Sequence, residues 1–350
     1  MGVKTFTGFF VFAALVSIFL AATGCSSEMK NEKVTEFESF RNEYQLAQET
    51  ADWLEVFNCC GIAIYDSLLV AVEWGGERVF HVYNLNTKQL AGTFGRFGKG
   101  PGEFFSCPDF TSVYFLEGSD LIIQIFDVGR MTLKNINLSQ SVKTHSLVLQ
   151  DDYILPELGP VSNPFMTPDS LVFYAAGDIL ISVNRNTGDT VRLNKPVVIT
   201  QNLPSSFNDY VREMHIEPAL QSDRIVGAYY FLKRLNIYNG RGELMRVIKE
   251  KGDHPFDTTD SDIYKANNLV FFSKVFLSDK YILCLNQNRK AGVDKSGELW
   301  LFSYEGKAIN RYRLDSWIHY GAMDWKAKRF YSYNYKEKTM ISFALEGIPE

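Results

Sequence analysis

Five times along the chain, an alternating apolar strand runs into a tight polar turn and a second strand leaves it. Phe80–Leu85 turns through Asn86-Thr87-Lys88 into Gln89–Phe94. Ile122–Phe126 turns through Asp127–Arg130 into Met131–Leu138, and Ile179–Val183 through Asn186–Asp189 into Thr190–Leu193. Leu235–Tyr238 turns through Asn239–Glu243 into Leu244–Ile248, and Leu299–Tyr304 through Glu305–Lys307 into Ala308–Leu314. Gly and Asn stand where such turns need a positive φ.

The turns recur about every 40 to 65 residues, room for one four-stranded sheet and its loops. An isolated sheet of this kind leaves both faces wet, whereas sheets repeated radially about an axis bury them, as in a β-propeller. Three further strands follow Trp317: Ile318–Trp325, Arg329–Tyr335 and Thr339–Leu345. The chain ends one strand short of a sheet, so part of Glu36–Phe57 is expected to supply it and close the ring. The reading is an all-β, six-bladed β-propeller over residues 36–350. A β-sandwich, or two smaller all-β domains, is the competing arrangement. The long loops fall at 97–109, 156–168, 196–222 and 251–268, with a short helix expected over 206–215.

The first residues have a separate purpose. Lys4 is the only charge before Cys25, and an apolar run from Phe9 to Ala22 leads into Ala22-Thr23-Gly24-Cys25-Ser26-Ser27. A basic start, an apolar stretch and small residues at the cut make an export signal. The Cys directly after them predicts a lipoprotein signal over 1–24, a lipid on Cys25 and a flexible tether over 25–35. Ala22 stands where such signals usually carry Leu. A membrane anchor, or a cleaved signal with Cys25 incidental, are the alternatives. Ser26, not Asp, follows Cys25, which points to the outer membrane and leaves its two sides open. A net charge of −5 gives no reason to expect nucleic acid as a partner. Four more cysteines follow: Cys59, Cys60, Cys107 and Cys284. An exported protein meets oxidising conditions, so a disulfide is open to them. Buried thiols in strands are the favoured expectation.

The most distinctive run is Gly95-Arg96-Phe97-Gly98-Lys99-Gly100-Pro101-Gly102-Glu103-Phe104. It fails both phosphate-binding patterns, because Gly100 follows Gly98-Lys99 and the glycines alternate. It therefore reads as a tight connection between blades, with Gly95, Arg96, Gly98, Lys99, Gly100, Pro101, Gly102 and Glu103 as a candidate binding or structural loop. With Phe126-Asp127, this run resembles the TolB-like six-bladed β-propeller lipoproteins of Gram-negative bacteria. Ser278–Leu285, Leu299–Asp315 and Ala322–Asn334 are similar to that family's closing blades. The resemblance, over about residues 55–346, implies the fold and the lipid anchor but no set activity.

No catalytic constellation stands out. His81, His145, His215, His254 and His319 form no metal-binding spacing, although His215-Ile216-Glu217 places a His and a Glu on one side of a strand. Calcium is the metal a propeller axis would suit, and the acidic runs Asp257–Asp262 and Asp151-Asp152 lack a calcium-loop pattern. No cofactor is expected. The leading reading is a membrane-anchored, non-catalytic propeller that binds an envelope protein, glycan or other ligand. Phe104, Phe105, Phe165, Phe207 and Tyr210 are loop aromatics that would serve either contact or packing. A calcium-dependent, lactonase-like hydrolase at the axis is the alternative. Three or more converging inner-strand carboxylates, with an Asn or His alongside, would favour it.

Overall fold

Short apolar runs closed by turn-forming residues give strands, and the computed structural model arranges them as six antiparallel sheets around an axis. It describes residues 33–349 except 101, 156–161, 195–196, 200, 208–209, 220–221, 253–254, 261, 291–292 and 294. The signal 1–24, Cys25, Pro101, His254 and parts of the long loops lie outside the described residues. Each blade starts at the axis. The inner strands are Cys59–Tyr65, Asp109–Glu117, Ser162–Met166, Met214–Ala219, Leu269–Leu277 and Ile318–Asp324, in blades 1 to 6. Successive strands then step outward in chain order.

Blade 6 takes only three strands from the C-terminal end. Its outer strand is Glu49–Thr50, antiparallel to Thr339–Ala344, with Thr50 opposite Ile341. The N-terminal segment does more than that one strand. Lys33–Phe37 edges blade 4, and Asn42–Leu46 runs parallel to Ala308–Leu314 at the edge of blade 5, Tyr44 opposite Tyr312. These edge strands read as polar because only one side of each is buried, at Phe37 and Leu46.

Middle strands are covered on both faces by neighbouring sheets, and so they read as continuous apolar runs. Leu69–Val72 and Val172–Ala175 are fully buried. The third strands of blades 1 to 4 each end in an Asn: Asn84, Asn137, Asn184 and Asn239. The Asn84, Asn184 and Asn239 side chains accept backbone N–H groups of the turns that follow. In blade 2, Asn137 accepts from the N–H of Gln140 at 2.9 Å and so caps a helix, Leu138–Thr144, where the sequence pattern shows only a strand end. Among the described residues of 206–215, where a helix is expected, Ser205–Phe207 makes one 3-10 turn and the inner strand of blade 4 already begins at Met214, while Phe207 and Val211 pack against Phe231, Ile263 and Val270.

The expectation of four buried thiols is also corrected. Cys60 and Cys107 form a disulfide, with Cα atoms 6.3 Å apart, while Cys59 and Cys284 are buried free thiols. Cys60 lies on the inner strand of blade 1, and Cys107 just precedes that of blade 2. The bridge therefore encloses all of blade 1 and the glycine-rich run. Burial pushes the Cys59 thiol up to about 12, which removes its thiolate and keeps it from attacking the adjacent bridge. Closing a loop of 47 residues is worth about 4 kcal/mol in the chain-entropy account. The Cys60→Ser/Cys107→Ser variant should therefore unfold at markedly lower urea, with reduction of the wild type giving a similar loss. A midpoint unchanged by both would remove the bridge from the stability argument.

Candidate functional site: the axial cavity

The glycine-rich run folds back on itself. Phe104 N–H donates to the Arg96 carbonyl and Gly98 N–H to the Phe104 carbonyl, both at 2.9 Å. The Glu103 carboxylate accepts from Gly100 N–H at 2.7 Å, and Arg130 donates to the Gly100 carbonyl at 2.9 Å. A Cβ on Gly98 would fall 2.1 Å from the Glu103 carboxylate, so only Gly leaves room for this contact. Phe104 is completely buried, edge-on to Phe80 and 4.7 Å below the Lys134 ammonium. Lys134 in turn meets Asp127 at 2.6 Å, with both side chains buried. These hydrogen bonds and the buried ring describe a connector between blades 1 and 2.

The axis itself carries a cavity of about 440 Å³, lined by the inner strands of blades 1, 2, 4, 5 and 6. Five of the six inner strands have irregular register against their neighbours. Such bulges re-aim side chains. In blade 2, three residues, Thr111–Val113, sit between Phe110 opposite Ile125 and Tyr114 opposite Ile123. The Ser112 N–H and hydroxyl thereby reach Glu217 of blade 4, the N–H at 2.8 Å. A similar shift beside Ser273 in blade 5 directs Lys274 across the axis. Its ammonium donates to the Phe110 carbonyl at 3.1 Å and lies 3.9 Å from Glu217. Glu217, Ser112 and Lys274 form a polar floor joining three blades.

Burial pushes the Glu217 carboxyl up, opposed by Lys274 and the Ser112 hydrogen bonds. Asp109 is raised by burial too, with Lys274 opposing. His215 shares the Glu217 side of its strand, and burial, then Lys274, lowers it to about 4, so it is neutral at pH 7. Above the floor the walls are largely apolar, with Ile62, Ile64, Val275, Phe276 and Met323. The mouth lies at the ends of the inner strands and the turns after them, where Asp66, Asp279, Asp324 and Lys326 stand.

A fold of six such blades has many unrelated owners, so membership has to come from the sequence itself. The family model for TolB-like six-blade propellers matches residues 40–323, well over half the chain. The chain belongs to the TolB-like six-bladed propeller family. No curated protein is significantly similar to it in sequence. Among solved structures, this TolB-like propeller is similar to a Bacteroides fragilis protein classed as exported, at 12% identity and a TM-score of 0.52, covering 89% of this chain and 98% of that one. A Bacteroides vulgatus member of the duf4221 family matches at 9% identity and a TM-score of 0.52, covering 88% and 94%. At such identities the likeness is one of fold.

Other sequence candidates in this TolB-like propeller take up structural contacts. Phe104, Phe165 and Phe207 are buried, whereas Phe105 and Tyr210 are exposed. Asp257, Asp260 and Asp262 accept N–H groups of their own loop, from Thr259, Asp262 and Tyr264. Asp151 pairs with Arg185. Among the described residues, no three His, Cys, Asp or Glu side chains gather closely enough to hold a metal ion. Sequence reasoning singled out Glu217 but missed Ser112 and Lys274. Both are aimed by bulges, and a bulge on an inner strand leaves no mark in an alternation pattern.

Proposed function

We propose that this protein is an exported lipoprotein, held on the outer membrane through Cys25, whose propeller binds an envelope partner or ligand in its axial cavity. The carrying observation is that cavity: apolar walls over a floor of buried Glu217 with Ser112 and Lys274 make a binding pocket of ordinary ligand size. Ala22-Thr23-Gly24-Cys25 supplies the anchor. The Cys60–Cys107 bridge fits an oxidising compartment, as does the exported Bacteroides fragilis protein of similar fold. The hydrolase alternative needs carboxylates converging on one ion. Among the described residues no three His, Cys, Asp or Glu side chains gather closely enough for that.

Two measurements test the proposal. Palmitate labelling should vanish in Cys25→Ala, and labelling that survives would remove the anchor. Ala63→Trp fills the cavity from the blade 1 wall. Passed over solubilised envelope, the wild type should retain a protein or small molecule that Ala63→Trp loses. Equal retention by both, or none by either, would place function away from the axis.

A further inference from the structure

The charges around the axial cavity are unbalanced. Glu217, Asp66, Asp279 and Asp324 line it against Lys274 and Lys326, a formal excess of two acidic side chains. The deep carboxylate also has unused capacity. One Glu217 oxygen takes both Ser112 donors. The other has Lys274 at 3.9 Å, beyond the roughly 2.7–2.9 Å of a charge-assisted hydrogen bond. Lys274 is held back by its bond to the Phe110 carbonyl at 3.1 Å.

From this geometry we propose that the cavity binds a linear aliphatic diamine with an ammonium at each end. One ammonium meets the free oxygen of Glu217, the methylene chain lies along the apolar walls, and a second ammonium meets the aspartates of the mouth. The two positive charges cancel the lining charge, and the methylenes gain from leaving water. An anion would have to pass three aspartates to reach Lys274, and a neutral chain would leave the carboxylates without counter-charge. The inference rests on reading the propeller as a binding module and names the ligand class of that site.

The test is calorimetric titration of the full chain with 1,8-diaminooctane, 1,8-octanediol and suberate at physiological salt. The diamine should bind, and the diol and the dicarboxylate should not. Glu217→Gln should weaken the diamine by about tenfold or more, as expected for loss of a charged hydrogen bond. The exposed pair Asp66→Asn/Asp279→Asn should weaken it several-fold, and serves alone if Glu217→Gln does not fold. Absence of diamine binding, equal binding of the diol, or an unchanged affinity in the variants would each overturn the inference. Retention of an envelope ligand that Ala63→Trp loses, without diamine binding, would sink the diamine and spare the binding module. Failure of both would remove the two together.

Discussion

Asp127→Ala should cost this protein about 3–5 kcal/mol, the usual penalty for stranding one member of a buried ion pair. The Asp127 side chain is fully covered, and its Oδ2 lies 2.6 Å from the Lys134 ammonium, itself 4% exposed. Removing the carboxylate leaves the ammonium over the face of Phe104 at 4.7 Å. A cation–π contact is worth about 0.5–2 kcal/mol and does not replace the pair. Because Phe104 anchors the glycine-rich connector, the loss should reach that loop as well. Hydrogen exchange should speed up at the Gly98 and Phe104 amides, which bond within it. Asp127→Leu combined with Lys134→Met should recover most of the stability, since apolar replacement of both partners leaves no uncompensated charge. A urea midpoint for Asp127→Ala that implies less than about 1 kcal/mol would show that water reaches the pair.

The same contact explains how much of the fold was legible. Gly95–Phe104 and Phe126-Asp127, the two fragments that most resemble the family, meet at Phe104, Lys134 and Asp127. One blade's connector is thereby locked to the next blade's core. Strand alternation and Asn- or Gly-bearing turns are local signals, and they placed the blades. What escaped was set by distant partners. The Cys60–Cys107 bridge depends on the chain returning to the axis after blade 1. The Ser112–Glu217–Lys274 floor depends on bulges in blades 2 and 5. The helix Leu138–Thr144 hid because Asn137 occupies the position where Asn84, Asn184 and Asn239 start plain turns. Edge strands such as Lys33–Phe37 hid because a half-exposed strand of Lys, Thr and Glu carries little apolar pattern.

Deleting residues 26–50 should abolish the closed propeller. Residues 33–50 of that segment supply the outer edge of three consecutive blades, 4, 5 and 6. Without it, blade 6 keeps three strands, and the outer strands of blades 4 and 5 lose their covering pairs. Three adjacent edges would stand open to other chains. The side chains show where the energy lies. Phe37 is 7% exposed and packs against Phe302 and Trp300 at ring distances of 5.2 and 5.8 Å. Tyr44 stacks on Tyr312 at 5.3 Å. By contrast, the Lys251–Glu38 and Lys249–Glu36 ion pairs are exposed, and solvent screens them. Phe37→Ala should therefore cost about 3–5 kcal/mol, as core Phe truncations do, while Glu38→Ala should leave the melting temperature almost unmoved. The deletion should yield aggregated or protease-sensitive protein, read by size-exclusion and limited proteolysis. A soluble, monomeric deletion variant melting within a few degrees of wild type would show that the ring holds without its N-terminal strap. Closure would then rest on the core between blades 1 and 6, where Ile62 and Tyr83 cluster with Ala322, Tyr331 and Tyr333.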